Sequence, residues 1–442
     1  MELLIYLILF LFVLIISTTT NKLLPFLPLP LVQILLGIGI GLFVPDADFH
    51  LNTELFLAMV IGPLLFREAE EADITSILKH WRIVVFLIFP VIFISTLSLG
   101  GMAHFLWMTL PLAACLAVGA ALGPTDLVAF ASLSERFRFP KRVSNILKGE
   151  GLLNDASGLV AFQMALAAWT TGTFSFSQAG TSLALSIFGG FVVGFVTAMV
   201  NRFLHSFLLS VRAIDIASEL LLELSLPLMT FFIAEEFHVS GIIAVVVAGI
   251  LKASRFKKIT LLEAQVDTVT ETVWHTVTFM LNGSVFVILG MELEMIAEPI
   301  LTNPLYNPLL LLVSVVLLTF LLFAIRFVMI YGFYVWRTRR LKKNLRNYMK
   351  DMLLLTFSGV KGTVSIATIL LIPSNLEQEY PLLLFLVAGV TLLSFLTGLL
   401  VLPHLSEEQE ETKDYLMHIA ILNEVTAELE KELEGHKNKL PL

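Results

Sequence analysis

The sequence predicts an all-α polytopic membrane protein with about thirteen transmembrane helices. Two inverted six-helix repeats are expected, each with a discontinuous helix, the two crossing near the bilayer midplane. Three observations carry this. The 442 residues are 57% hydrophobic and only 14% charged. Apolar runs of membrane-spanning length recur from the first residues to about Pro403. Basic residues alternate between the two ends of successive runs.

The spans are read near 3–20, 24–44, 53–67, 82–107, 111–134, 143–170, 179–207, 214–236, 239–253, 268–292, 304–335, 351–373 and 381–403. Lys22, Arg67, Lys79, the basic cluster Arg136–Arg142, Arg202, Arg212, Lys252–Lys258 and the run WRTRRLKKNLRNYMK follow or flank the odd spans. Loops after even spans, such as PDADFHLN and IPSNLEQEYP, have no lysine or arginine. The positive-inside rule then puts the N-terminus outside, the C-terminus in the cytoplasm and the protein in the cell membrane. MELLIYLILF has no basic stretch ahead of its apolar run and is read as a retained span. The single cysteine, Cys115, excludes an intrachain disulfide and a cysteine-rich metal site.

Spans 1–6 and 8–13 make two sets, about residues 1–172 and 213–403, linked by span 7. An offset of seven reverses the direction of corresponding helices, as inverted repeats require. The segment 404–442 is an acidic, helix-patterned cytoplasmic tail, a surface for an unknown cytoplasmic partner or a solvated helix.

Chemistry concentrates in three segments. In AALGPTDLVAF, Gly123 and Pro124 interrupt span 5 and place Thr125 and Asp126 deep in the membrane. Freed carbonyls and side-chain oxygens at such a break suit a hard monovalent cation, so Asp126 ligates the ion, caps a half-helix or answers Lys361, and the first two roles are compatible. In KGEGLLNDASG, Asn154 and Asp155 lie about 20 Å into span 6, near the midplane. Desolvation drives Asp155 toward its protonated form and a neighbouring cation drives it the other way. Ion and proton therefore compete for it, and that competition produces exchange when only loaded forms reorient. In TFSGVKGTVSI, Lys361 is buried at the second break, and Glu150 is its expected partner in a structural ion pair. Glu68, Glu219, Glu223 and Arg326 are candidates for a cytoplasmic funnel or gate, the last also for pairing with the acidic stripe on span 8. The cation is expected at Asp155, Asp126 and Thr125. No phosphate-binding glycine loop is found, so ATP-driven transport has no support, and no cofactor or nucleic acid is called for.

These segments resemble the monovalent cation:proton antiporter family of the NhaP/NHE type. GPTDLVAF is similar to its threonine–aspartate unwound helix and GEGLLNDASG to its glutamate, then asparagine–aspartate helix. EEFHVSGIIAVVVAGI, LNGSVFVILGMEL and FSGVKGTVSIA follow in the family's order. The resemblance covers residues 1–403. It implies a homodimer in membrane lipid, with a dimer domain and a mobile core domain. It also implies an ion site at Thr125, Asp126, Asn154 and Asp155, and electroneutral exchange of Na+, Li+ or K+ for H+ with an elevator-like motion. Three departures bear on cation preference: Gly151 stands where the family commonly has serine, Lys361 where it has arginine, and Arg67 precedes Glu68 after the Pro-Leu-Leu-Phe run. They are expected to shift selectivity from sodium toward potassium, or to broaden it. Two other classes fit less well: an intramembrane aspartyl protease with an Asp126–Asp155 dyad, for which the sequence has no GxGD-like segment, and a channel-like or sensory protein, for which the spans show only isolated polar sites and no continuous polar pore.

Overall fold

A computed structural model of the chain describes residues 2–24, 29–43, 53–72, 74–126, 129–130, 133, 137–172, 176–211, 215–253, 261–302, 306–341, 344–369, 372 and 379–406. The tail beyond Ser406 lies outside the described residues. Every regular element among them is helical. We number the helices α1 (Glu2–Leu23), α2 (Leu29–Phe43), α3 (53–71), α4 (Trp81–Leu106), α5 (Leu112–Ala121), α6 (Lys141–Thr171) and α7 (Phe176–Ser210). Then follow α8 (Ile216–Glu236), α9 (Gly241–Ala253), α10 (Leu261–Thr302), α11 (Pro308–Leu341), α12 (Met349–Phe357), α13 (Thr363–Ile369) and α14 (Tyr380–Leu405).

Six of these helices contain a stretch long and apolar enough to cross a membrane: in α4, α7, α8, α10, α11 and α14. Four more, in α1, α2, α5 and α9, are apolar but shorter. Proline sets several local features. Pro63 follows a π-helical turn at Leu57–Ile61 within α3, and Pro90 lies inside another at Leu87–Val91 within α4. A widened turn relieves the clash between the proline ring and the carbonyl four residues back. Helix α6 ends at Gly172, whose φ of 67° is the left-handed conformation that glycine adopts without strain.

The buried apolar side chains sort into three larger clusters and a smaller one. Residues of α4, α5, α6, α11 and α14 interlock around Leu99, Val118, Phe162, Leu318 and Val387. Residues of α4, α6, α11, α12 and α14 interlock around Leu87, Ile146, Ile330 and Leu355. Residues of α3, α8, α9 and α10 interlock around Phe66, Phe231, Val245 and Trp274. A smaller cluster of Ile34, Phe286, Leu289, Ile366 and Ala388 joins α2 and α10 to α13 and α14 across the seam. Helix α7 lies outermost and leaves Leu185, Phe188, Phe191, Phe203 and Phe207 exposed. A helix apolar on its outer face needs lipid or protein around it.

Candidate cation site

The helices stop at the two segments that the sequence marks as interrupted. Helix α5 ends at Ala121, because Pro124 has no N–H to continue the ladder and its ring clashes with the carbonyl of Ala120. Helices α12 and α13 flank a second non-helical stretch, 358–362. The two stretches cross and satisfy each other. The Asp126 N–H donates to the Val360 carbonyl at 3.1 Å. The Lys361 ammonium donates to the carbonyls of Pro124 and, at 2.8 Å, Gly123. The Lys361 N–H donates to Ser394 Oγ on α14 at 3.0 Å. Small residues make the crossing feasible. A Cβ on Gly362 would overlap the Asp126 carboxylate, and one on Gly158 of α6 would overlap the Pro124 ring.

Helix α6 supplies the remaining polar groups. Asn154 is fully buried; its amide donates to the Thr125 carbonyl at 3.0 Å and to Thr125 Oγ1 at 2.7 Å. A backbone carbonyl only accepts, so this bond fixes which end of the amide faces Thr125. Thr125 Oγ1 in turn donates to Glu150 Oε1 at 3.2 Å. The other end of the amide, Asn154 Oδ1, is buried and accepts no hydrogen bond among the described residues. An unpartnered buried oxygen calls for an explanation, and a ligand is one. Asp126 is buried, and its Oδ1 accepts from the Ala129 N–H at 3.0 Å, so it caps the turn beyond the break. Asp155 lies on α6 one residue after Asn154, and its side chain lies outside the described residues.

The expected Glu150–Lys361 pair is corrected. Glu150 takes both guanidinium nitrogens of Arg326, at 2.6 and 2.8 Å, and Arg326 Nε donates to the Leu355 carbonyl at 3.0 Å. The physical reason is shape. A planar guanidinium fork matches a carboxylate with two parallel bonds, whereas a lysine ammonium is a point charge suited to two backbone carbonyls at a helix end. Arg326 is therefore neither at a funnel mouth nor paired with the stripe on α8; it is 4% exposed inside the packed body.

Two of the other gate candidates, Glu219 and Glu223, also sit in buried contacts. Glu219 Oε2 is 3.1 Å from His205 Nε2 of α7. Glu223 is 2.6 Å from the Lys252 ammonium of α9 and accepts from Trp274 Nε1 of α10 at 2.9 Å. Arg67 pairs with Glu70 and Glu71 on its own helix and lies over the Trp274 ring. Burial and the nearby Glu223 push the Glu70 carboxyl above its ordinary range, while Lys252 and Arg67 pull it back. Glu68 is half-buried on α3. Asp215, the first member of the stripe, is exposed and caps α8 reciprocally with Ser218.

The chain matches a family model described as "Sodium/hydrogen exchanger, transmembrane" over residues 7–406. It is 32% identical over 431 residues to a "Sodium, potassium, lithium and rubidium/H(+) antiporter" of Bacillus pumilus, covering 96% of this chain and 62% of the relative. It is 34% identical over 399 residues to the protein of the same description in Bacillus subtilis, covering 89% and 60%. The chain thus spans about three fifths of the length of these two relatives. The Na(+)/H(+) antiporter NhaH of Halobacillus aidingensis is 28% identical over 390 residues, 84% of this chain and 89% of that one. In fold, the solved sodium proton antiporter MjNhaP1 from Methanocaldococcus jannaschii superposes with a TM-score of 0.69 over 92% of this chain and 98% of its own, at 18% identity. With the family model spanning nearly the whole described region, and with its two helix breaks crossed over a buried threonine and asparagine, the chain belongs to the sodium/hydrogen exchanger family.

Proposed function

We propose that the chain is a secondary antiporter that exchanges a monovalent cation for H+ by competition at Asp155. Asn154, Thr125 and Asp126 complete the oxygen-rich surroundings. The observation that carries this reading is Asn154 Oδ1: a fully buried oxygen with no hydrogen-bond donor among the described residues, one residue before Asp155 and against the crossing of two interrupted helices. Carbonyl and carboxylate oxygens are the ligands that hard cations prefer. With the ion bound, Asp155 stays ionised; without it, desolvation favours the proton. The Asn154–Asp155 pairing, carried over from the family resemblance, goes with electroneutral one-for-one exchange.

Na+ is the first expectation. Relatives described as acting on sodium, potassium, lithium and rubidium favour a broad preference that includes K+. Gly151 on α6 supports the same breadth, because it brings no side-chain oxygen to the ion. The accompanying topology is thirteen spans in two inverted repeats, with the N-terminus outside and the tail in the cytoplasm. The protein works as a homodimer in the cell membrane, and the exposed apolar face of α7 supports an apolar surrounding.

The test is proton flux in proteoliposomes with Na+, Li+ and K+ added separately, for wild type and Asp155→Asn. Cation-driven collapse of a preset pH gradient is expected from wild type and not from the variant. Undiminished exchange by a folded Asp155→Asn protein would refute the reading.

A further inference from the structure

Arg142, in the first turn of α6, makes contacts that the ion site does not account for. Its guanidinium is 3.6 Å from Asp351 Oδ2 in the first turn of α12 and donates to Tyr334 Oη of α11 at 3.4 Å. It also lies over two aromatic rings, with 5.6 Å to the Tyr334 centroid and 5.0 Å to that of Tyr348, in the turn leading into α12. The two rings are themselves 5.5 Å apart. One side chain of α6 therefore grips α11 and α12 together.

The grip repeats deeper in the protein with the roles exchanged. Glu150 lies eight residues beyond Arg142 on α6, and Arg326 lies eight residues before Tyr334 on α11. Arg326 reaches across to Glu150 and to the Leu355 carbonyl of α12. Two antiparallel helices are thus tied at two levels about 12 Å apart, each time by an arginine, once from either helix, and α12 joins at both levels. A helix held at one level can swing about it; held at two, it cannot. Asn154 lies four residues, about 6 Å, past the Glu150 level. Play of about 1 Å at Arg142, pivoting at Glu150, would move Asn154 by about 0.5 Å, the tolerance at which a polar constellation loses its geometry. Helix α12 matters equally, because it continues into the second break, which is bonded to Thr125's neighbours.

We propose that Arg142 is a positioning residue for exchange: its clamp on Tyr334, Tyr348 and Asp351 fixes α6 and α12 so that Asn154 meets Thr125 in binding register. This rests on the antiport reading. The test is exchange in proteoliposomes as a function of cation concentration and pH, for wild type, Arg142→Ala, Arg142→Lys and Tyr348→Leu. In Arg142→Ala the half-saturating cation concentration should rise about three- to tenfold, with maximal rate little changed, given the size of partly exposed ion-pair and cation–π contributions. Because the proton competes with the ion, the acid side of the pH profile should move up by about half to one pH unit at fixed cation. Arg142→Lys keeps the charge near Asp351, loses the planar stack and should fall between the two. Tyr348→Leu removes one wall of the clamp and provides the same readout if Arg142→Ala fails to fold. Half-saturation and pH profile identical to wild type in a folded variant would overturn the proposal, as would a loss of yield with those two quantities unmoved. Absence of exchange by wild type would refute the antiport reading itself and the positioning role with it; an active wild type with unaffected variants refutes the positioning role alone.

Discussion

The Glu150–Arg326 pair offers the sharpest stability test, because a different partner for Glu150 is readable from the sequence. Both side chains are almost wholly buried, at 1% and 4% exposure. Replacing Arg326 by methionine leaves the Glu150 carboxylate with the Thr125 hydroxyl at 3.2 Å as its remaining described hydrogen bond. Breaking a buried pair in this way costs about 3–5 kcal/mol. The Leu355 carbonyl, in the last turn of α12, also loses the donor that satisfies it, adding about 1 kcal/mol. The sum, about 4–6 kcal/mol, is comparable to the whole stability of many proteins, so little folded Arg326→Met should be recovered. Glu150→Gln removes the charge while keeping volume. The double variant Glu150→Gln/Arg326→Met leaves no buried charge unpaired and should recover about 2–4 kcal/mol relative to the sum of the singles. The assay is a double-mutant cycle on denaturant or thermal unfolding in one detergent, run in parallel for Glu150 with Lys361. Coupling below about 0.5 kcal/mol for Glu150 with Arg326, or larger coupling for Glu150 with Lys361, would refute the assignment.

Three further outcomes are expected. Lys361→Met should cost about 1–3 kcal/mol for each of the Gly123 and Pro124 carbonyls left without a donor, seen as loss of monodisperse protein and of exchange, with Lys361→Arg restoring part of both. Gly362→Ala should reduce exchange at least about tenfold by pushing its methyl into the Asp126 carboxylate, whereas Gly332→Ala, with open space at that position, should match wild type in the same flux assay. Glu70 is raised above its ordinary 4.5, so the folded state holds its proton more tightly than the unfolded state, and this group's contribution to stability falls as pH climbs from 4.5 through the raised value. Glu70→Gln should flatten that slope in the unfolding midpoint against pH, while Arg67 keeps Glu71 as a partner at 2.6 Å.

The breaks were legible because their signals are local. Gly123 with Pro124, and Gly359 with Gly362, each weaken a helix at adjacent or nearly adjacent positions, so a break is favoured there before any packing is considered. The depth of Asn154 was legible too, since depth along a helix follows from residue count, whereas its closeness to Thr125 was implied by the family resemblance alone. Partner choice was not, because it depends on how each helix is rotated about its axis. Lys361 and Arg326 are both cations deep in apolar helices, and depth alone does not tell which one faces Glu150. A usable signal existed: Arg326 stands in the most apolar of the spanning stretches, α11, where a lone charge demands a buried counter-charge. The stripe Glu219–Glu223 misled in the same way. Its period fits one helix face, but its partners His205, Lys252 and Trp274 come from three other helices.

Accounting for polar groups across the two breaks bears on where the proposed cation would sit. An interrupted helix in a low-dielectric interior leaves carbonyls that must find donors. Here the Gly123 and Pro124 carbonyls are taken by the Lys361 ammonium, Val360 by the Asp126 N–H, and Leu355 by Arg326. A tethered cation thus already occupies the oxygens that a broken helix would otherwise offer to an ion. Selectivity then cannot be set by a rigid cage of those backbone oxygens. In the proposed site it falls to side-chain oxygens carried on or against α6, where Asn154 Oδ1, like Ser358 Oγ in the second break, is buried without a donor among the described residues and Gly151 contributes none. Such a site is adjustable in radius, because side chains and a bridging water shift more easily than a stitched backbone. That is the physical basis for expecting this chain to accept cations of different size, and for expecting Gly151→Ser, by adding a hydroxyl ligand on α6, to narrow that choice toward the smaller ions in a flux comparison of Li+, Na+ and K+.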